Sequence, residues 1–354
     1  MSTLHSDFWQ DRPVLVTGHT GFKGGWLSLR LAQAGARVTG YALDPPTTPS
    51  FFAATKLAQD VRDIRGDLAD LPRLRATLKQ GQPEVIFHLA AQPLVRQSYE
   101  APVATLRDNV IGTAHVLEAA RNCPSVRAVV CVTTDKVYAN DERGVAFAEH
   151  EPLGGKDPYS ASKAASEIIV NSYRCSFLAP AGIHLASARA GNVIGGGDWA
   201  ADRLVPDCVR AFSAGQPVEI RSPQSVRPWQ HVLESLSGYL SLAEAMLGER
   251  GADFATGWNF GPSDDDHRTV GEVTKSLADL WGNASVQVTP GDTTKPEAGL
   301  LRLDSKRARS LLGWKPKWDV ETTLQATCEW YKAFAAGADM RALSIRQLQA
   351  YVGV

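Results

Sequence analysis

Residues 17–27 read TGHTGFKGGWL, and this stretch decides the fold that we expect for the chain. The run PVLVTG, which ends inside it, is apolar, too short for a helix and closed by a glycine, so it predicts a buried strand. The run GGWLSLRLAQAG, which begins inside it, predicts a helix that ends at its closing glycine. Gly18, Gly21 and Gly24 therefore lie in a tight turn between a strand and a helix.

Strand and helix patterns alternate from this turn to about residue 134. Further strands are predicted at ARVTGYALD, VRDIRGD, EVIFHLA and AVVCVTT, and further helices at DLPRLRATLKQ and NVIGTAHVLEAARNC. Such alternation is typical of an α/β protein with a Rossmann-type, doubly wound parallel sheet. In these sheets ligands bind outside the carboxyl ends of the strands, so we expect the functional residues there.

The alternation changes after about residue 186, where a glycine-rich loop and irregular segments follow. We predict a Rossmann domain over residues 1–186, with a returning segment near 229–259. Residues 187–228 and 260–354 are predicted to form a smaller, mixed α/β C-terminal domain that covers the carboxyl edge of the sheet and binds the substrate.

Composition narrows the classes of function. The chain has 354 residues, of which 44% are hydrophobic, and this is enough apolar material for one or two domains. A net charge of -1 predicts no nucleic-acid or anionic membrane surface. No apolar run approaches the roughly 18 to 20 residues of a membrane span, and the N-terminus does not resemble a signal peptide, so we expect a cytoplasmic protein. The five cysteines are scattered, so no metal site is predicted.

The glycine turn is a candidate dinucleotide site. Glycines allow the backbone to approach a pyrophosphate closely, and a helix N-terminus offers free N–H groups and a positive dipole. A glycine triplet alone also fits a plain turn, but its place between a strand and a helix favours cofactor binding. The residues predicted to contact the cofactor here are Gly18, Gly21, Phe22, Lys23 and Gly24.

Residues after the next strands complete the predicted cofactor site. Asp44 ends the second strand, where a carboxylate accepts hydrogen bonds from a ribose 2′-OH and repels a 2′-phosphate. Because no arginine is adjacent in the sequence, we predict NAD rather than NADP, with a turn before two prolines as the alternative role. Asp67 and Leu68 are predicted near the adenine, with a helix N-cap as the alternative for Asp67. Leu89, Ala90 and Ala91 are predicted to line the cofactor after the fourth strand.

A tyrosine and a lysine are the candidate catalytic pair. Tyr159 and Lys163 lie in PYSASKAASE, and a spacing of four places them on one face of a helix. A nearby ammonium, together with the cationic nicotinamide ring of the cofactor, favours the tyrosinate and so brings a phenol with a pKa of about 10 toward use as a base near neutrality. Thr134 is predicted to bond the same oxygen as Tyr159, since Thr133 points to the opposite face. Asn109 is a candidate for anchoring the backbone nearby, with a helix-start role as the alternative.

The motifs TGxxGxxG and YxxxK, with a hydroxyl residue after the fifth strand, together resemble those of the extended short-chain dehydrogenases/reductases, which act largely on nucleotide sugars. Longer segments are similar to those of the CDP-glucose 4,6-dehydratase family: HTGFKGGWL, GYALDPPT, HLAAQPLVRQSY, TTDKVY, YSASK, GNVIGGGDWA, DRLVPD and RPWQHV. This resemblance covers nearly the whole chain. It implies NAD as cofactor, CDP-D-glucose as substrate and a hydro-lyase reaction in deoxysugar biosynthesis for O-antigen. We also expect a homodimer or a homotetramer.

The resemblance also implies roles for two further residues. The reaction oxidises C4 of the sugar, eliminates water across C5 and C6, and reduces C6, so it needs an acid and a base that a simple dehydrogenase lacks. Asp135 is implied as the general acid, and Lys136 is implied as the base at C5. Partial burial would raise the pKa of an aspartate and lower that of a lysine, which suits both roles. A surface salt bridge is the alternative.

Candidate substrate ligands lie in the second region. The Asn192 amide and the glycine-rich loop after it could hold a diphosphate, and arginines suit the same charge. The candidate arginines are Arg203, Arg221 and Arg227, of which Arg227 lies in a segment that resembles a diphosphate-binding segment of the family. Each arginine alone also fits a solvated surface charge.

Three other functions share parts of this pattern. A nucleotide-sugar 4-epimerase shares the fold, the cofactor and the tyrosine–lysine pair, but it needs no base at C5. The dTDP- and GDP-sugar dehydratases resemble the chain, but those families usually place glutamate where Lys136 stands. A non-catalytic NAD-sensing regulator on this fold characteristically lacks the tyrosine or the lysine, and both are present here.

Overall fold

The computed structural model describes residues 6–140, 144–263, 266–282, 284–289 and 302–353. The strands are β1 (Pro13–Thr17), β2 (Arg37–Ala42), β3 (Arg62–Arg65), β4 (Val85–His88), β5 (Ala128–Val132), β6 (His184–Ala190), β7 (Val193–Ile194), β8 (Val218–Ile220), β9 (Val226–Pro228), β10 (Gln230–His231), β11 (Gly257–Phe260), β12 (His267–Thr269) and β13 (Val286–Val288).

The α-helices are α1 (Phe22–Gln33), α2 (Phe51–Ala54), α3 (Leu71–Gly81), α4 (Val95–Glu100), α5 (Pro102–Leu106), α6 (Gly112–Arg121), α7 (Pro158–Tyr173), α8 (Leu204–Ser213), α9 (Val232–Leu247), α10 (Gly251–Phe254), α11 (Val270–Trp281), α12 (Lys306–Leu311), α13 (Val320–Ala335) and α14 (Met340–Val352). A π-helical turn, Arg107–Ile111, joins α5 to α6, and a 3-10 turn, Asp135–Val137, follows β5. No helix in the described ranges is both long and apolar enough to cross a bilayer.

Within the described residues, seven parallel strands form one sheet in the order β11-β6-β5-β4-β1-β2-β3. Alternate residues of each strand face opposite sides of the sheet. Val14 and Val16 thus pack in one core with α1 and α9, whereas Leu15 packs in another with α3, α6 and α7. Helices cover both faces, which confirms the predicted doubly wound α/β fold.

The large sheet continues beyond the first 186 residues of the chain. The predicted boundary falls inside β6, which runs to Ala190 because it forms a ladder with β5. The chain returns to this sheet through α9 and β11, which pairs with β6. Three two-stranded sheets, β10-β7, β12-β9 and β13-β8, lie among the helices of the later part. The division into two domains stays a prediction.

The turn between β1 and α1 requires glycine at two positions. Gly18 has a φ of 78°, and a Cβ there would lie 2.7 Å from the backbone nitrogen of Ala90. A Cβ on Gly24 would lie 2.1 Å from the carbonyl oxygen of Gly18. The turn is therefore packed against the segment that follows β4, and the N-terminus of α1 opens at the carboxyl edge of the sheet.

Candidate active site

A cavity of about 1420 Å³ lies at the carboxyl edge of the sheet. This volume exceeds the roughly 300–1,000 Å³ of a typical small-molecule site, so it accommodates a dinucleotide and a second ligand together. Of the predicted site residues, all except Asp135 and Asn109 line the cavity: Gly18, Gly21, Phe22, Lys23, Gly24, Asp44, Asp67, Leu68, Leu89, Ala90, Ala91, Thr134, Lys136, Tyr159, Lys163, Asn192, Arg203, Arg221 and Arg227.

The glycine turn fits the phosphates of a dinucleotide. Gly21 is the N-cap of α1, and the first N–H groups of a helix have no partner within the helix. Lys23 lies deeper, with its Nζ 3.3 Å from the hydroxyl of Tyr239. Burial, and to a smaller extent the positive charge of Arg203, lower the pKa of Lys23 to about 7. The Lys23 side chain is thus directed into the cavity toward the second region.

The predicted ribose site contains an arginine that the sequence pattern missed. The side chain of Asp44 is 91% exposed, and the Nη1 of Arg65 lies 3.6 Å from its carboxylate. No arginine is adjacent to Asp44 in the sequence, but Arg65 is adjacent to it in space. β2 and β3 pair in parallel with Ala42 opposite Arg65, which brings together residues that are distant in the sequence. Asp70, rather than Asp67, is the N-cap of α3.

The tyrosine and the lysine lie on the first turns of α7. The helix begins at Pro158, and Asp157 caps it by accepting a hydrogen bond from the backbone N–H of Ser160, 2.9 Å away. Both Tyr159 and Lys163 are more than nine-tenths buried. The Lys163 ammonium donates a hydrogen bond to the carbonyl of Val132 at 3.2 Å. Helical geometry and β5 together fix the pair against the end of the sheet.

Burial dominates the electrostatics of this pair. It raises the pKa of Tyr159 to about 12, although a hydrogen bond with the Thr134 side chain lowers it. Burial also lowers the pKa of Lys163 to about 8. The expected fall in the pKa of Tyr159 is therefore outweighed by desolvation, and the chain's own groups do not bring this phenol near neutrality.

The two threonines after β5 point in opposite directions. The Thr134 hydroxyl contacts Tyr159 and donates a hydrogen bond to the Asp135 carboxylate at 2.9 Å. The Thr133 hydroxyl instead donates to the carboxylate of Glu167 at 2.5 Å. Strand alternation had predicted this difference, and it leaves Thr134 as the hydroxyl beside the tyrosine.

The 3-10 turn after β5 carries the predicted acid and base. Thr134 caps this turn by accepting a hydrogen bond from the backbone N–H of Lys136. Lys136 is half-buried and lines the cavity, whereas Asp135 is 2% exposed and lies behind the cavity wall beside Gly191. Burial raises the pKa of Asp135, and the Lys136 charge opposes that rise. The alternative of a surface salt bridge does not fit a buried aspartate.

The polar residues of the second region face the same cavity. Asn192 lies between β6 and β7 and lines the cavity. Arg203 donates a hydrogen bond to the buried carboxylate of Asp198 at 2.8 Å. Arg221 is exposed and follows β8, and Arg227 lies on β9. These positions bring three guanidinium groups to the lining of the same cavity as the glycine turn.

Asn109 connects two walls of the site. It is 1% exposed and lies in the π-helical turn between α5 and α6. Its amide accepts a hydrogen bond from the backbone N–H of Gln92 and donates to the carbonyl of the same residue, at 2.8 and 3.0 Å. It also donates to the hydroxyl of Ser162 on α7 at 2.8 Å. This arrangement supports the anchoring role rather than a helix-start role.

Comparison with known proteins identifies the family. A profile of the family described as GDP-mannose 4,6 dehydratase matches residues 15–327. A CDP-glucose 4,6-dehydratase of Salmonella typhimurium is 48% identical over 354 residues, which cover 99% of this chain and 98% of that relative. The chain belongs to the GDP-mannose 4,6 dehydratase family.

A further relative and a solved structure are similar to this chain over most of its length. A dTDP-glucose 4,6-dehydratase of Streptomyces griseus is 31% identical over 324 residues, which cover 90% of this chain and 93% of the relative. The structure of MoeE5 in complex with UDP-glucuronic acid and NAD is 27% identical, with a TM-score of 0.77, and covers 91% of this chain and 99% of that one.

The dehydratase-family site contains an arginine that we did not predict. Arg96 on α4 lines the cavity, and its Nη1 lies 3.3 Å from the carboxylate of Asp202. The same carboxylate lies 3.9 Å from the Nη2 of Arg221. Asp202 thus lies between an arginine of the Rossmann part and one of the second region. The sequence HLAAQPLVRQSY could have indicated Arg96, because this basic residue follows the carboxyl end of a predicted strand.

Proposed function

We propose that this protein is a CDP-glucose 4,6-dehydratase that converts CDP-D-glucose into CDP-4-keto-6-deoxy-D-glucose and water. The observation that carries the proposal is the position of the Asp135–Lys136 turn, directly beside the hydroxyls of Thr134 and Tyr159. A site with this turn has acid and base groups for elimination next to those for oxidation. The cytidine nucleotide is proposed from the 48% identity to the Salmonella relative.

The cofactor is NAD⁺, which when bound would supply the hydride acceptor for oxidation at C4 and the hydride donor for reduction at C6, so that no net oxidation occurs. The backbone of Gly18, Gly21 and Gly24 and the N-terminus of α1 would hold its pyrophosphate, because this turn lines the cavity and a helix N-terminus attracts negative charge. Asp44 would accept hydrogen bonds from a ribose, and Leu89 to Ala91 would line the opposite side.

The first half of the reaction depends on α7. Tyr159 would remove the proton from the C4 hydroxyl, with Thr134 bonded to the same oxygen. Its pKa of about 12 in the free protein must fall for this role, and the Lys163 ammonium together with the positive charge of the bound cofactor would favour the tyrosinate.

The second half depends on the turn after β5. The new ketone acidifies the hydrogen at C5, and Lys136, which lines the cavity, would remove it. Asp135 would protonate the departing C6 hydroxyl, and burial shifts the pKa of this carboxyl upward, in the direction that suits an acid. Since the Thr134 hydroxyl bonds Asp135 and contacts Tyr159, the acid and the first base are joined through one side chain.

The substrate diphosphate would lie against the second region. We propose that Asn192, Arg203, Arg221 and Arg227 bind it, since they line one wall of the cavity and guanidinium groups suit phosphate. Arg96 extends this positive wall from the Rossmann side.

One assay tests the proposed function. Pure protein incubated with CDP-D-glucose and NAD⁺ should yield a product that has lost one water and forms the 4-ketone chromophore in alkali. CDP-D-galactose without loss of water would instead identify an epimerase, and no reaction with CDP-D-glucose but turnover of dTDP- or GDP-sugars would overturn the nucleotide assignment.

We further propose a cytoplasmic homodimer or homotetramer. Apolar side chains on two neighbouring helices, α5 and α7, remain exposed, including Val103 at 79% and Ile168 at 59%. A second copy of the chain would cover this face. Light scattering of the purified protein tests the proposal: a dimer that Val103→Glu dissociates supports it, and a monomeric wild type contradicts it.

A further inference from the structure

A third residue continues the catalytic face of α7. Glu167 follows Lys163 by four positions, so it lies on the same helical face one turn further along. It is 4% exposed, and its carboxylate accepts hydrogen bonds from Thr133 at 2.5 Å and Ser187 at 2.7 Å. Arg189 on β6 also donates to it through Nε and Nη2, at 3.0 and 2.8 Å.

Arg189 extends the contact to the other end of the 3-10 turn. It is 5% exposed, and its Nη1 donates a hydrogen bond to the hydroxyl of Tyr138 at 2.8 Å. The Tyr138 hydroxyl in turn donates to the side-chain oxygen of Asn259 on β11 at 2.7 Å. The connected side chains therefore link α7, β6, β11 and the turn below the cavity.

The two ends of this network bracket the proposed elimination residues. Thr133 precedes Asp135 by two positions, and Tyr138 follows Lys136 by two. One end of the turn is tied to Glu167, and the other is tied to Arg189. Because Glu167 and Arg189 are themselves paired, the turn is held at both ends by one rigid, bidentate contact.

The ion pair keeps its charges despite burial. Burial opposes the ionisation of Glu167, but the Arg189 charge and the hydrogen bonds outweigh it and hold the pKa of Glu167 below its usual range. Burial likewise opposes the charge of Arg189, and the Glu167 carboxylate raises the pKa of this guanidinium nonetheless. Buried ion pairs often contribute little net stability, because desolvation offsets the attraction. Because net stabilisation does not explain the Glu167–Arg189 pair, we consider instead that it fixes the position of the Asp135–Lys136 turn.

We propose that Glu167, Arg189 and Tyr138 are positioning residues that hold the Asp135–Lys136 turn at a fixed place relative to Tyr159. The proposal rests on the proposed dehydratase function and deepens it. Elimination needs the turn in register with C5 and C6, whereas oxidation needs α7, which has its own cap and helical hydrogen bonds. Loosening the network should therefore slow elimination more than oxidation.

Tyr138→Phe tests this difference, because it removes one hydroxyl and keeps the ring that stacks on Phe147. In a single turnover with CDP-D-glucose, reduction of bound NAD⁺ should stay within about twofold of wild type. Loss of water should slow at least about tenfold, since misplacement of about 1 Å can cost about 100-fold. The reduced cofactor should accumulate, and KM should change little. Tyr173→Phe is the matched control, because its hydroxyl bonds Glu118 outside the site.

A second pair of variants separates positioning from folding. Thr133→Val removes the hydroxyl that bonds Glu167 with nearly the same shape, and Thr133→Ser retains a hydroxyl. We expect Thr133→Val to reproduce the slow elimination of Tyr138→Phe, and Thr133→Ser to eliminate water at a rate close to that of wild type. Equal losses of oxidation and elimination in both Tyr138→Phe and Thr133→Val, or no loss in either, would overturn the proposal. Failure of the wild-type protein to dehydrate CDP-D-glucose would instead overturn the proposed function.

Discussion

The two proposed catalytic pairs are built in different ways. Tyr159 and Lys163 lie on one helix, where backbone hydrogen bonds and the Asp157 cap fix their geometry locally. Asp135 and Lys136 lie in a three-residue 3-10 turn, which is held by side chains from distant elements. The geometry of the oxidation pair therefore follows mainly from α7, with a further hydrogen bond from Lys163 to β5, whereas the elimination turn depends on side chains of distant elements in addition to its Thr134 cap.

Burial has opposite consequences for the two pairs. It raises the pKa of Tyr159 to about 12, which hinders a residue that must lose its proton. It also raises the pKa of Asp135, which favours a residue that must keep one. The oxidation pair therefore needs additional positive charge from bound ligand, whereas burial shifts the pKa of the elimination acid in the direction that its role requires.

The largest effect is expected from Tyr159→Phe. Loss of the phenolic oxygen removes the base at C4, and a positioned general base typically contributes about 10²- to 10⁴-fold. NAD⁺ binding should remain nearly unchanged, because the other cofactor contacts stay in place. Single-turnover reduction of bound NAD⁺ by CDP-D-glucose measures the effect, and a near-wild-type rate would contradict the role of Tyr159.

Asp135→Asn should damage only the second half of the reaction. The amide cannot protonate the departing hydroxyl, so loss of water should fall by about 10²-fold or more while the first oxidation proceeds. The C5 hydrogen should still exchange with deuterium, since Lys136 remains. Mass spectrometry of the recovered sugar nucleotide distinguishes these steps. Normal dehydration by this variant would show that Asp135 is not the acid.

A change of pH should affect the rate of oxidation at C4 and the protonation step of the elimination in opposite directions. The tyrosinate of Tyr159 grows as pH rises toward its pKa of about 12, so oxidation in a single turnover should accelerate with pH. The protonated fraction of Asp135 decreases as pH rises through its raised pKa, so protonation of the departing C6 hydroxyl should slow. Rapid-mixing measurements of both steps across the stable pH range test this. Parallel pH profiles would argue against the different roles of the two residues.

The fold and the oxidation pair could be predicted because their signals are local. A strand, a glycine turn and a helix follow one another at residues 17–27, and the spacing of Tyr159 and Lys163 needs only one helix. The Glu167–Arg189 contact spans 22 residues, and the Arg189–Tyr138 contact spans 51, so no short pattern reveals either.

The cofactor site also contains a contact between distant residues that a short sequence pattern does not predict. Arg65 reaches Asp44 through the pairing of β2 with β3, which sequence spacing alone does not predict. Its presence changes the expected result of Asp44→Ala. We still expect NAD preference in the wild type, because the carboxylate repels a 2′-phosphate and neutralises the arginine.

The smallest effect is expected from Asp44→Ala. Removal of the carboxylate should lower the ratio of NAD to NADP affinity about tenfold, which corresponds to one lost hydrogen bond to a charged group. Asp44→Ala with Arg65→Ala should bind NADP less well than the single variant, since the arginine is gone. Calorimetric dissociation constants test both variants. An unchanged preference in Asp44→Ala would remove Asp44 as the discriminating residue.

The reaction of the Lys136→Ala variant with CDP-D-glucose in deuterated water tests most directly whether oxidation and elimination use separate residues. Oxidation should proceed and the reduced cofactor should accumulate, because Tyr159 and Lys163 are intact. Dehydration and exchange of the C5 hydrogen should both fall by about 10²- to 10⁴-fold, because the base is absent. Rapid C5 exchange or normal formation of the 4-keto-6-deoxy product would contradict the account.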